Sequence, residues 1–223
     1  TLLMLISGAA SRYLADKMSA WGFFSARMGR LWPPLLLAFF VIVPPQTYFQ
    51  IVEALQRAGQ PVAGSPWLDN FWIKYATASG HWCRDGGCLT TPTYNHMWFV
   101  AYLIIYTALL VPLAPLLRRI PRGASALISG PLFILLPWAF LFLLRATLFP
   151  IFHESHDFRE DWYLHPLYFA VFTFGFAIAK HQPFFERCMR WRWFGLAAAL
   201  VCWGALMSLY PSETAPPAWQ LTL

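Results

Sequence analysis

From Leu31 to Val52 the chain carries no charged side chain, and it enters this run through Arg27 and Arg30. About 20 predominantly apolar residues suffice to cross roughly 30 Å of hydrocarbon, so a run of this length and character points to a membrane span. It reads Arg27-Met28-Gly29-Arg30-Leu31-Trp32-Pro33-Pro34, then apolar Leu35 to Val43, then Pro44-Pro45-Gln46-Thr47-Tyr48. A Pro-Pro pair is expected to mark each end of the span. The i, i+3 spacing puts both guanidinium groups on one helix face. Two readings stand for the pair: positively charged anchors that fix topology, or a clamp for a phosphorylated ligand, since a guanidinium is planar, permanently charged and meets phosphate oxygens bidentately.

The rest of the chain favours a membrane setting. Hydrophobic residues make up 58% of the 223 and charged residues 12%, against about 45–50% and about 25% in soluble domains. That excludes a water-soluble globule, and the twelve tryptophans and twenty phenylalanines suit aromatic belts at lipid interfaces. The net charge of +6 is therefore not a nucleic-acid footprint, and no nucleic-acid partner is expected. Apolar runs fall at about Thr1–Ala15, Leu31–Glu53, His96–Leu117, Ala124–Phe149, Leu164–Ala179 and Trp193–Tyr210. The expectation is an all-α fold, a polytopic transmembrane helix bundle with about six spans, the first truncated. Ser7-Gly8-Ala9-Ala10-Ser11 in the first run are small enough to let another helix approach closely. The segment from Gln56 to Asn95 reads as a polar loop.

Loops 12–30, 118–122 and 180–192 hold eleven Lys/Arg and two Asp/Glu, leaving five and eight elsewhere. By the positive-inside tendency these three loops are cytoplasmic, which makes the protein a multi-pass protein of the plasma (inner) membrane. The Cys83–Cys88 and His153–Trp162 loops then face outward. Cys83 and Cys88, separated by Arg-Asp-Gly-Gly, suit a disulfide in an oxidising compartment, and two thiolates do not complete a tetrahedral zinc shell.

Further candidates are individual polar residues. Arg145 interrupts the apolar run Leu141–Leu148 at a cost of about 2.5–3.5 kcal/mol; it either snorkels or pairs with Asp161 or Glu160. His96 opens the third span, as an interfacial cap or as a proton-transfer group. His153, His156 and Asp157 match no standard metal spacing and read as a solvated loop, so no metal is expected. Gln46, Thr47 and Tyr48 read equally as a cavity lining or as part of an aromatic belt.

In order along the chain, Ile6-Ser7-Gly8, Arg27-Met28-Gly29-Arg30-Leu31 with Pro33, Val43-Pro44-Pro45-Gln46-Thr47-Tyr48, His96-Met97-Trp98-Phe99-Val100 with Tyr102 and Leu103, Arg145, Asp161-Trp162 and Phe174-Gly175 form a recognisable series. The chain resembles membrane-bound acyltransferase family 3, most closely its periplasmic glucan succinyltransferase branch. The resemblance implies one transmembrane acyltransferase domain over residues 1–223, incomplete at both ends, in a protein of about ten helices. It also implies transfer of an acyl group from cytoplasmic acyl-CoA, a donor substrate rather than a permanently bound cofactor, to a carbohydrate hydroxyl. Arg27 and Arg30 correspond to the family's Arg-x-x-Arg pair and would hold the phosphates of coenzyme A. The family's histidine is expected upstream of Thr1, which leaves the catalytic base unassigned, with His96 as a possibility. A substrate cavity would be lined by Gln46, Tyr48, His96, Trp98, Arg145 and Asp161. Membrane lipids, acyl-CoA and a carbohydrate acceptor are the expected partners. The alternatives are a permease or flippase for a lipid-linked sugar, with Arg145 as gate charge, and a structural membrane subunit.

Overall fold

The computed structural model describes residues 1–84, 87–88, 91–94, 97–119, 135–152 and 161–209. Among these residues the helices are α1 (Leu2–Ala15), α2 (Ala20–Leu37), α3 (Val43–Arg57), α4 (Phe71–Ala76), α5 (Trp98–Leu117), α6 (Leu135–Thr147), α7 (Leu164–Ile178) and α8 (Gln182–Leu209). A π-helical turn, Ala38–Ile42, joins α2 to α3. One two-residue hairpin pairs β1 (Cys83–Arg84) with β2 (Gly87–Cys88). The architecture is therefore all-α. The Ala20–Arg57 run and Trp98–Leu117 are long and apolar enough to cross a membrane, and α1, α6 and α7 are shorter apolar helices. The chain divides into one unit of Thr1–Lys17 with Leu113–Leu223 and a second of Met18–Pro112.

The first unit is built on the crossing of α1 with α7. Met4, Gly8, Ser11 and Ala15, spaced by three and four residues, form the buried stripe of α1. The buried residues of α7 include Leu164, Tyr168, Phe172, Gly175 and Phe176. The helices meet backbone to backbone: a Cβ at Gly8 would lie 1.9 Å from the Phe172 carbonyl oxygen, and one at Gly175 would lie 2.2 Å from that of Leu5. Two helices this close need glycine at both contact points, the small-residue packing that replaces hydrophobic drive inside lipid. Ser11 satisfies its own hydroxyl by donating to the Ser7 carbonyl at 2.7 Å, and the Tyr13 hydroxyl ties α1 to the end of α7 through the Ala179 carbonyl at 2.9 Å. Helix α8 begins at Gln182, so the basic residues Arg187, Arg190 and Arg192, expected in a loop, instead occupy its first turns. Residues 124–134 of the expected fourth span lie outside the described residues.

The second unit corrects the expected role of the prolines. Neither pair ends a helix; α2, the π turn and α3 form one run of 38 residues, longer at both ends than the expected Leu31–Glu53 span. Ser19 caps its start by accepting from the Gly22 N–H at 3.1 Å. Pro44 and Pro45 donate no N–H, and the chain accommodates them by widening the preceding turn, so that the Val43 N–H bonds the Ala38 carbonyl five residues back. The helix ends at Gly59, whose φ of +65° provides a left-handed exit while the Gln60 N–H returns to the Leu55 carbonyl.

The stretch after α3 is also more than a polar loop. Phe71, Tyr75 and Trp82 are buried against Ile51, Leu55, Val43 and Ala38, with Trp67, Leu68 and Tyr48 packed around them. Trp82 donates its indole N–H to the Trp67 carbonyl at 2.9 Å, and the Tyr75 hydroxyl both donates to the Thr93 carbonyl and accepts from its N–H. The result is an aromatic cap along one side of the π turn and α3.

The α1–α7 crossing makes a direct prediction. Gly8→Ala or Gly175→Ala forces the two backbones apart and lowers thermal stability in detergent by about 1–3 kcal/mol, as overpacking does. Gly195→Ala, on α8 where no atom lies within 4 Å of the added methyl, leaves stability unchanged or slightly raised.

Candidate functional site

Arg27 and Arg30 lie one turn apart on α2, before Pro33 and Pro34. Arg27 is half-buried and Arg30 exposed, and the Cβ position of Gly29 between them faces open space. Because Pro33 and Pro34 carry no N–H, the carbonyls of Gly29 and Arg30 lack their ordinary i+4 donors. The pair therefore occupies a loosened stretch of helix with at least one cation open to solvent.

Of the candidate cavity residues in this unit, Gln46 is exposed while Tyr48 packs inward, edge-on to Phe71 at 5.3 Å. Tyr48 thus belongs to the aromatic cap. Trp98 begins a ladder along α5, edge-on to Tyr102 at 5.7 Å, which is edge-on to Tyr106 at 5.9 Å. Thr47 and Thr107 are buried, and their hydroxyls find no hydrogen-bond partner among the described residues. Thr47 was read from sequence, with Gln46 and Tyr48, as either a cavity lining or part of an aromatic belt; Thr107 was not singled out, because a threonine in an apolar helix looks like one that bonds back to its own turn. His96 lies outside the described residues, as do His153, His156, Asp157 and Glu160.

Arg145 and Asp161 belong to the other unit. Arg145 is exposed and places its guanidinium 3.5 Å from the centre of the Phe149 ring, which stands edge-on to Tyr163 at 5.3 Å. Asp161 is wholly buried just before α7, with its backbone carbonyl accepting from the His165 N–H at 2.9 Å.

The densest charged cluster of the described residues is one that sequence reading treated as a span end. Asp16, following the last residue of α1, accepts at Oδ2 from Arg12 Nε at 3.0 Å and Lys180 Nζ at 2.6 Å, while Arg118 Nε lies 3.1 Å from Oδ1. Arg118 also donates through Nη2 to the Ala15 carbonyl at 2.5 Å. The cluster joins the C-terminal ends of α1, α5 and α7, where cations are favoured by the partial negative charge of the helix ends. Burial pushes the Asp16 carboxyl up, but the hydrogen bonds from Lys180 and Arg12 and the charges of both outweigh it and hold the group below its ordinary value of 3.8. The i, i+4 spacing of Arg12 and Asp16 was visible in sequence; Arg118 and Lys180 are distant along the chain, and nothing local announces their meeting.

No group of three or more His, Cys, Asp or Glu arranged to hold a metal ion occurs among the described residues. The model of an acyltransferase domain family, acyltransferase 3, matches residues 1–222. The chain belongs to the acyltransferase 3 family. No curated protein and no solved structure matches it. Membership makes this a membrane acyltransferase in general terms.

The Asp16 cluster carries a pH signature. Its stabilising contribution is complete above 3.8 and is lost as pH falls through the depressed folded value. Asp16→Asn should lower the melting temperature at neutral pH, and the gap to wild type should close as the pH drops below 3.8. A gap that stays constant across that window contradicts the cluster's role. Arg118 and Lys180 keep 37% and 47% of their side chains exposed, so solvent screening keeps the gap modest.

Proposed function

We propose that the protein is an O-acyltransferase of the bacterial plasma membrane, taking an acyl group from cytoplasmic acyl-CoA and passing it to a carbohydrate hydroxyl, in the manner of a glucan succinyltransferase. Family membership over residues 1–222 supports the reaction class. The observation that carries the donor assignment is the Arg27/Arg30 pair on one face of the long apolar helix run, with Arg30 exposed.

The excess of Lys and Arg in loops 12–30, 118–122 and 180–192 supports a cytoplasmic setting for the pair. There, Arg27 and Arg30 bind phosphates of coenzyme A, and the pantetheine arm extends along the α2–α3 run toward Gln46. The acceptor hydroxyl oxygen attacks the thioester carbonyl, the C–S bond breaks, and the thiolate leaves. A general base takes the hydroxyl proton as the new ester bond forms. His96 is one candidate for it, and a histidine preceding Thr1 is the other that the family resemblance suggests. Trp98 in the one unit, and Arg145 and Asp161 in the other, are each proposed by the family resemblance as acceptor contacts. The cross-strand register places Cys83 directly opposite Cys88; facing residues of an antiparallel pair lie about 4.5–5.5 Å apart at Cα, within the range a disulfide spans, and a bond here closes the outward hairpin.

Two measurements test this reading. Arg27→Ala and Arg30→Ala should each raise the acyl-CoA dissociation constant about tenfold or more, the loss of one charge-assisted hydrogen bond, with the melting temperature little changed. Unaltered affinity removes the clamp. Alkylation of protein purified without reductant, followed by mass spectrometry, should leave Cys83 and Cys88 unmodified while Cys188 and Cys202 label in denaturant.

A further inference from the structure

The Asp16 cluster holds more positive charge than its internal partner can use. Three cations, Arg12, Arg118 and Lys180, face one carboxylate, and Lys17 and Arg119 follow in sequence, both exposed. A purely structural latch would spend its donors internally. Here they are only partly spent: Arg12 uses Nε on Asp16 and stands with its guanidinium carbon 5.4 Å from the Phe176 ring centre, leaving its Nη groups without a hydrogen bond among the described residues. Lys180 places one bond on Asp16 and keeps 47% of its side chain exposed.

The helix ends absorb one donor, from Arg118, and the other carbonyls described there are taken. The Ala15 carbonyl is taken by Arg118, that of Ala179 by the Tyr13 hydroxyl, and those of Arg12 and Leu14 by the N–H groups of Asp16 and Lys17. The position is equally telling. The cluster lies where three apolar helices stop together, which in a bilayer is the headgroup level. Basic pockets between transmembrane helices at that level accept lipid phosphates.

We propose that Arg12, Arg118 and Lys180, with Asp16 as the carboxylate that spaces them, form a binding site for the phosphodiester of an anionic phospholipid. Asp16 holds Arg12 and Lys180 at one oxygen and Arg118 at the other. A phosphate seated on the unspent donors would bridge the ends of α1, α5 and α7 from the membrane side. Lys17 and Arg119 strengthen the local field without touching the carboxylate. This site is separate from the Arg27/Arg30 pair and stands whether or not that pair binds the acyl donor.

The test uses the purified full chain in dodecylmaltoside, titrated with phosphatidylglycerol or, separately, with zwitterionic phosphatidylcholine. Binding is followed by native mass spectrometry and stability by thermal melting. Phosphatidylglycerol should bind more tightly than phosphatidylcholine and raise the melting temperature. Lys180→Gln, which can still donate to Asp16, should weaken phosphatidylglycerol about fivefold, the attraction of one basic side chain to an anionic surface, while leaving phosphatidylcholine unaffected. Asp16→Asn should lower the basal melting temperature yet keep or tighten phosphatidylglycerol binding, because it removes the competing anion. A latch without a lipid role predicts that both variants lose stability and that neither changes the preference between the two lipids; that result overturns the proposal. Inorganic phosphate or pyrophosphate reproducing the stabilisation at equal concentration also overturns it, by assigning the site to a soluble anion.

Discussion

The approach of α1 to α7 at Gly8 and Gly175 is the constraint on which the first unit depends. A methyl group at either position would occupy the space of a carbonyl oxygen on the partner helix. In lipid, apolar side chains gain little by leaving one hydrocarbon environment for another, so packing must come from close backbone approach. That approach brings Tyr13 to Ala179 and Asp16 to Lys180, five and eight residues beyond Gly8 along α1. The charged cluster is thus a consequence of the glycine contact. It could not form if the helices stood a side chain apart.

In the second unit the corresponding constraint is the chain's treatment of proline. Two Pro-Pro pairs would be costly in the interior of a soluble helix. Within the long apolar run Pro33 and Pro34 stay inside α2, Pro44 and Pro45 follow a π-helical turn, and the run continues to Arg57. Its N-terminal half presents the arginine pair and its C-terminal half is held by the aromatic cap. A ligand gripped at Arg27 and Arg30 would therefore lie at the start of a helix whose widened turn lies two to three turns further on.

Much of this was legible in the amino-acid sequence, and the reasons differ by element. Charge spacing located α1, α5 and α7 to within a few residues, because in a membrane protein long uncharged runs and helices coincide. The glycine crossing was foreshadowed by Ser7-Gly8-Ala9-Ala10-Ser11, although its partner Gly175 was not identifiable without the fold. The Pro-Pro pairs misled, since proline ends most helices in water and a π turn has no sequence signature of its own. The aromatic cap was hidden because Gln56 to Asn95 mixes breakers and polar residues with Trp67, Phe71, Tyr75 and Trp82, and only tertiary contact shows which of these turn inward. Of the Asp16 cluster only the Arg12–Asp16 spacing was visible, because Arg118 and Lys180 join it from more than a hundred residues away.

The proposed acyl transfer breaks a thioester, and that step can be measured directly. Full-length protein in detergent, supplied with succinyl-CoA and a linear glucan, should release free coenzyme A thiol at a rate that depends on the glucan and falls when Arg27 and Arg30 are replaced together. If no thiol appears while the same protein in liposomes carries a lipid-linked sugar across the bilayer, the acyl-transfer account is wrong and the chain belongs to a carrier.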